Sequence, residues 1–262
     1  MNLNEALLRG LVAVVVVVAA VFALAAVEIL LLHPERGVLS MLSRARSQLL
    51  SRWNFGADRT AAVAGLSAAL LGPAVAAALL ATSTTLTLLA SCALLLTLPA
   101  PLLLALGTGD DGRARLALHD GLAQLTRRSL AMVAIVIAAG AAQHSLLAIP
   151  VFAAALVVLI RGRQHGGPSA QPRFDDRLTG PALVCFGVAE RAVVVVVGAL
   201  AGCAVMARSG LGFTGPVAAL LVIVASVVVV RNLGPLRGEG VGGPLALLSI
   251  SCLGRVVLYS LG

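Results

Sequence analysis

The sequence has 262 residues, of which 60% are hydrophobic and 11% are charged, and its mean hydropathy is +1.03. Because roughly a quarter of the residues in soluble domains are charged, this composition excludes an ordinary soluble protein. The net charge of +8 would suit a nucleic-acid ligand, but the basic residues are all arginines scattered between apolar blocks, and 3% of residues are aromatic. The charge therefore indicates membrane topology rather than nucleic-acid binding.

Apolar blocks divide the chain into eight predicted membrane spans, and we expect one all-α polytopic domain over residues 1–262. The first block is longer than the apolar core of a secretory signal and lacks a convincing cleavage site, which predicts a retained span. The fourth and fifth blocks are the shortest. In chain order the blocks are Leu11–Leu32, Arg59–Thr82, Thr85–Gly107, Ser129–Ala142, Ser145–Ile160, Gly180–Met206, Phe213–Val230 and Gly243–Leu261.

A different pattern occupies Val38 to Phe55, directly after the first span. Apolar residues recur there at intervals of three and four, with arginines and serines off the stripe, which predicts an amphipathic helix. Its arginines suit an anionic membrane surface. A basic helix beside the membrane that binds no ligand fits the same pattern. The stripe consists of Val38, Leu42, Ala45, Leu49 and Trp53.

The distribution of arginines supports the predicted spans, because cytoplasmic connections of membrane proteins carry an excess of basic residues. With both termini outside, fifteen of the nineteen arginines fall in four connections on the cytoplasmic side. Three of these connections are expected at about residues 108–128, 161–179 and 231–242. Arg9 and Arg208 lie on the opposite side. The pattern predicts a multi-pass protein of the inner (plasma) membrane.

Glu190 is the most informative residue, because an ionisable group at membrane depth is costly and usually marks function. It lies ten residues after Gly180, which corresponds to roughly 15 Å of helix. Glu190 is a candidate proton-relay group; the alternative is a structural ion pair, for which Arg255 of the last span is a candidate partner. Arg191 points about 100° away around the helix, so it needs a different partner or a path to water.

Other polar groups are less specific. Glu28, near the end of the first span, suits either a cavity or an interfacial carboxylate. Asp120 and Gln124 share a helix face and could line a polar cavity, or belong to a solvated helix end. The four cysteines lack the close spacing of metal or iron–sulfur ligands, so no metal site or redox centre is predicted on this chain. No nucleotide-binding or nucleophile-elbow motif is present.

Several of these features resemble the membrane subunit of respiratory complex I that is called subunit 1 in mitochondria, together with its bacterial counterpart. The family includes the membrane anchor of group 4 [NiFe] hydrogenases and formate hydrogenlyases. Its members have a glycine that precedes a span glutamate by ten residues, in a leucine-alanine-glutamate context. The matching segments here are Leu178-Thr179-Gly180, Val188-Ala189-Glu190, Glu28 at the end of the first span, Ala57-Asp58-Arg59 and the stretch HDGLAQ that ends at Gln124.

The resemblance implies a subunit that helps to form a quinone-like cavity beneath a peripheral iron–sulfur or hydrogenase-like arm, beside antiporter-like membrane subunits. It would be a non-catalytic or cavity-forming part of an NADH:quinone oxidoreductase-like complex that couples electron transfer to proton translocation. Quinone would be a substrate of the complex, with no cofactor bound by this chain. The implied cavity residues are Gln124, Asp58, Arg59 and Trp53, and the proton-path candidates are Glu190, Glu28, Asp120, Arg191 and Arg255.

The sequence also departs from the family pattern. Arg127, Arg128 and Ser129 follow Gln124 where the family stretch ends in a glutamate, and Ile29 and Leu30 replace a basic pair. Two alternatives therefore stay open. One is a stand-alone polytopic transporter or permease, although the two halves of the chain show no convincing repeat. The other is a scaffold subunit that has lost the quinone site.

Overall fold

A computed structural model describes residues 3–32, 38–52, 58–83, 86–108, 114–162, 178, 180–232 and 242–261, and within these ranges it contains helices and no strand. The helices are α1 (Leu3–Leu32), α2 (Val38–Leu49), α3 (Arg59–Thr82), α4 (Thr87–Leu94), α5 (Ala100–Thr108), α6 (Ala114–Ala141), α7 (Ala148–Gly162), α8 (Gly180–Ser209), α9 (Thr214–Asn232) and α10 (Gly242–Leu261). The predicted all-α fold is thus confirmed for the described residues and is consistent with a membrane protein.

Seven segments of the described chain are long and apolar enough to cross a membrane, whereas the sequence predicts eight spans. The difference is α7, which has 15 residues and is therefore only about 22 Å long, shorter than a hydrocarbon core of about 30 Å. Its side chains explain how it is accommodated. Val151, Phe152 and Leu156 are fully buried, because α6, α8, α9 and α10 pack around the helix. The count of eight stays a prediction.

The helical stretch predicted up to Arg128 and the separate short span predicted from Ser129 form one element, because residues 114–141 are the single continuous helix α6. No proline interrupts this segment, so the two patterns join into one helix, of which Leu118–Ala141 is apolar enough to span. Arg127 and Arg128 consequently lie within a continuous helix. The cytoplasmic position of the connection at 108–128 stays a prediction.

The third predicted span is present but broken. A 3₁₀ turn at Leu95–Thr97 separates α4 from α5, immediately before Pro99 and Pro101. A proline removes one helical hydrogen bond and clashes with the preceding turn, which accounts for the break. The backbone is partly satisfied again by the Leu98 N–H, which donates to the Leu95 carbonyl at 3.0 Å. Non-helical backbone at this depth is tolerated because neighbouring helices bury it.

The termini of the helices lie at two opposite sides of the bundle. At one end, the Asp58 N–H donates to the Gly107 carbonyl at 3.3 Å, so α3 begins where α5 ends. At the other, Arg208 donates to the carbonyl of Gln143, which brings the end of α8 to the turn after α6. We call the first the arginine-rich end, because α2 and the start of α3 carry arginines there, and the second the far end.

The amphipathic helix is confirmed over Val38–Leu49, with Leu50 in a turn. Residues 53–57, including Trp53 and Phe55, lie outside the described residues. The helix packs against α8 and α1. Gly180, the first residue of α8, has a φ of +62°, and a Cβ there would lie 2.5 Å from the Ser51 hydroxyl. Glycine is therefore required at this junction by both backbone conformation and space.

Helix α8 is the centre of the bundle and contacts α1, α2, α3, α4, α6, α7 and α9. Its closest neighbour is α9. A Cβ on Gly202 would lie well under 3.0 Å from the carbonyl oxygen of Gly215, so the two backbones are nearly in contact. Close approach through small residues is a common way for membrane helices to associate, since apolar burial drives little association within lipid.

This contact predicts different effects for the same substitution at two helical glycines. Gly202→Ala should destabilise the protein by about 1–3 kcal/mol, because the new methyl group forces α8 and α9 apart. Gly254→Ala is the matched control, because no atom lies within 4 Å of the position that a Cβ would take at that point of α10. It should be neutral or stabilising by up to about 1 kcal/mol. Thermal unfolding in mild detergent, followed by circular dichroism, measures both; equal effects would contradict the close α8–α9 contact.

Candidate functional site

Two ion pairs inside the bundle involve four charged side chains from three helices. Glu28 belongs to α1, Arg128 to α6, and Glu190 and Arg191 to α8. We call these four residues the charge cluster. Their separation along the chain is large, since Glu28 and Arg191 are 163 positions apart. Only the packing of α1 and α6 on α8 brings them together.

The first ion pair joins α8 to α1. The Arg191 Nε donates to the Glu28 Oε2 at 2.9 Å, and Arg191 also donates through a terminal guanidinium nitrogen to the Gly187 carbonyl at 3.1 Å. The Glu28 side chain is 11% exposed. A nearly buried carboxylate with a charge-assisted hydrogen bond is stabilised relative to an unpaired one. Glu28 is therefore buried against α8, and its depth in the membrane stays a prediction.

The second ion pair joins α8 to α6. Arg128 pairs with Glu190, and both side chains are about one-tenth exposed, at 11% and 10%. The Arg128 guanidinium also lies 5.8 Å from the centroid of the Phe186 ring, one turn before Glu190 on α8. This distance is within the range of a cation–π contact. Two different contacts thus hold Arg128 against the same face of α8.

The two pairs diverge because consecutive helical residues point about 100° apart. Glu190 consequently faces α6, while Arg191 faces α1. The expectation that the two residues need different partners agrees with these contacts. The candidate partner Arg255 is exposed on α10, and in the structure Arg128 takes that role.

A small cleft lies beside the second pair. The centre of a water molecule can occupy ≈ 20 Å³ within this cleft, which is space for about one water molecule. The Gln124 side chain, which is buried, donates to the Asp120 carboxylate at 3.2 Å, one turn earlier on α6. This gives the cleft a polar wall on α6 and an apolar wall on α7. The lining residues are Gln124, Arg127, Arg128, Val158, Leu159 and Glu190.

The charge cluster lies in the half of α8 nearer the arginine-rich end. Glu190 is about 15 Å from the start of α8, a helix of 30 residues and therefore about 45 Å in length. It is roughly 7 Å from the helix midpoint toward Gly180. The cluster is thus closer to the face that carries α2 than to the far end.

The remaining predicted cavity residues lie elsewhere or outside the described chain. Asp58 is the exposed N-cap of α3, where its carboxylate accepts hydrogen bonds from the Thr60 hydroxyl and the Ala61 N–H. These bonds hold the pKa of the Asp58 carboxyl below its usual value. Arg59 begins α3 and is exposed. Trp53 lies outside the described residues. Among the described residues, Asp58 forms no hydrogen bond or ion pair with a residue of the charge cluster.

Arg128 is the functional candidate that the sequence pattern does not single out. The pattern places it in a cytoplasmic connection, where it is a departure from the family motif. The signal that identifies it is the uninterrupted apolar pattern through Leu118–Ala141, which puts residue 128 on a spanning helix. Its partner could not be predicted, because the α6–α8 contact is set by packing between distant segments.

Metal ligands do not cluster in the described part of the chain, where no three His, Cys, Asp or Glu side chains could hold one ion. The absence of a cofactor stays a prediction. In the charge cluster, each carboxylate lies beside a guanidinium group. The Arg128–Glu190 pair also has space for a water molecule beside it.

Comparison with known proteins gives no match, either to a family model or to a curated protein. The resemblance to the complex I subunit therefore rests on the sequence segments that contain Glu28, Asp58, Gln124, Gly180 and Glu190.

The ion pairing predicts a specific energetic coupling between Arg128 and Glu190. Either single substitution, Arg128→Gln or Glu190→Gln, should destabilise the protein by about 3 kcal/mol, because it leaves a buried charge without its partner. The double substitution should cost clearly less than the sum. Unfolding free energies of the four proteins in detergent measure this coupling.

A matched cycle with Arg255→Gln and Glu190→Gln should be additive, since Arg255 is exposed and makes no ion pair with Glu190. Equal coupling of Glu190 to Arg255 and to Arg128 would show that the Arg128–Glu190 pairing is wrong.

Proposed function

We propose that this chain is a membrane subunit of a redox-driven, proton-translocating complex of the kind exemplified by subunit 1 of complex I and the related hydrogenase anchors. The observation that carries the proposal is that Glu28 and Glu190 both belong to ion pairs on adjacent residues of α8, Glu28 with Arg191 and Glu190 with Arg128. Both are among the carboxylates that the resemblance selects, and they lie on spans that are distant in sequence.

The energetics support a functional cluster. Burying two ion pairs in apolar spans is expensive, and well-packed apolar side chains often stabilise a protein as well or better. Ionisable groups within spans mark proton or ion paths in many membrane proteins. Four charges held together within the bundle are therefore a sign of a role beyond helix packing.

In this proposal Glu190 and Glu28 carry the proton-exchanging carboxylates, and Arg128 and Arg191 are their counter-charges. The cleft beside Glu190 supplies a site for water, and Gln124, which donates to Asp120, is part of its polar wall. Electron carriers belong to partner subunits, and quinone is a substrate of the assembled complex. The arginine-rich end faces the cytoplasm, where a peripheral arm docks, and antiporter-like subunits lie beside the chain in the membrane.

A scaffold subunit without a quinone site is the second candidate function. The observation that favours it is that both carboxylates of the cluster already have an arginine partner. The cleft at Glu190 is also the size of a water molecule and not of a quinone ring. Such a subunit would keep the charges as fixed contacts between α1, α6 and α8.

The assembly is tested by purifying the tagged chain from its native membrane in mild detergent. We expect it to migrate as part of a larger complex with partners that carry iron–sulfur clusters, detected by their absorbance and by electron paramagnetic resonance of the reduced sample. A chain that migrates alone would overturn the proposal and leave a stand-alone membrane protein.

The role of Glu190 is tested within the intact complex. Glu190→Gln should lower the rate of proton-coupled turnover by about 100-fold or more if the carboxylate must exchange a proton, the lower end of what a positioned acid or base contributes. Glu5→Gln, at an exposed carboxylate of α1, is the control and should leave this rate unchanged. An assembled Glu190→Gln complex with normal proton coupling would favour the scaffold function.

A further inference from the structure

Helix α2 presents leucines to its surroundings that no described residue covers. Leu39 and Leu50 are 82% and 78% exposed, and Leu42 and Leu49 are about half exposed. These positions fall within one arc of the helix, since Leu42 is separated by three residues from Leu39, by seven from Leu49 and by eight from Leu50. The contact with the bundle uses a different side, where Ala45 and Gln48 are partly covered.

The same helix is basic. Arg44 and Arg46 are both exposed, and the sequence of α2 contains no acidic residue. Arg46 lies within one turn of Leu42, Leu49 and Leu50, so it is surrounded by exposed leucines. A long arginine side chain can leave such an apolar surface and reach phosphate groups at the edge of a bilayer.

The connections of α2 fix its position relative to the membrane. It begins six residues after α1 ends at Leu32, and α3 begins at Arg59, ten residues after Leu49. Five intervening residues extend at most about 18 Å, so the start of α2 lies near the end of α1, a helix long and apolar enough to span a membrane. Its last turn is further restrained against Gly180 at the start of α8.

We propose that the exposed leucine face of α2 binds the membrane interface and that Arg46, which lies within this face, enriches anionic phospholipid around it. The leucines enter the boundary between headgroups and acyl chains, and the Arg46 guanidinium contacts lipid phosphates. A protein groove is the less suitable occupant, because Arg46 among the leucines would need a carboxylate or similar acceptor within an apolar interface. This inference does not depend on the function proposed above.

The test uses the full chain in phospholipid bilayer discs, with the four native cysteines replaced and one new thiol at Leu42→Cys carrying a fluorophore. A small fraction of the lipid carries a quenching nitroxide, on either phosphatidylglycerol or phosphatidylcholine. We expect the phosphatidylglycerol quencher to be about twofold or more effective, because each arginine near the surface favours anionic lipid up to about fivefold. The same fluorophore at Ser47→Cys, off the leucine arc, should be quenched less by both lipids.

Arg46→Gln should bring the ratio of the two quenching efficiencies to about one while the fluorophore stays in contact with lipid. The control, Arg208→Gln, removes the same charge from an exposed position at the far end and should leave the ratio unchanged.

Three results would overturn the proposal. A ratio of about one in the native chain would remove the preference for anionic lipid. An equal loss in the control variant would assign the preference to net charge and not to α2. A fluorophore at residue 42 that is shielded from both lipids and from water would show that a protein, either a partner or a second copy, covers the leucines.

Discussion

The structure depends on how α8 places two opposite charges, Glu190 and Arg191, in an apolar bundle. Neither charge would be tolerated unpaired, because removing one partner of a buried ion pair typically costs about 3–5 kcal/mol. Consecutive positions on one helix cannot pair with each other and instead face different neighbours. Helix α8 is therefore joined to α6 on one side and to α1 on the other. The two ion pairs fix the rotation of α8 about its own axis.

Close backbone packing sets the position of α8 in the other directions. Gly202 places its backbone against α9, and Gly180 allows the last turn of α2 to reach the first turn of α8. Both contacts involve backbone atoms, which cannot move aside as flexible side chains do. A rotation of α8 that separated the charge cluster would also disturb these contacts. The polar interior and the interface helix are thus coupled through one rigid element.

The exposed side chains of the outer helices are largely apolar, as expected for a surface in contact with lipid. Large apolar side chains cover the outside of α1, α9 and α10, where lipid is the natural solvent. The short helix α7 is surrounded by other helices, so its length need not match the bilayer. The charge cluster is where ionised groups from three helices enter the apolar interior, beside the water-sized cleft at Glu190. These ionisable groups are therefore the best candidates for functional residues in the described chain.

Sequence alone determined the helical class, the membrane environment, the amphipathic character of α2 and the unusual status of Glu190, because each depends on local composition or helical periodicity. It did not determine that α6 is continuous, since two short patterns meet near Arg128 without a clear boundary. The identities of the partners were decided only by tertiary structure. Arg128 and Glu28 lie on helices far from α8 in sequence, and which face each helix turns toward α8 depends on the packing of the whole bundle.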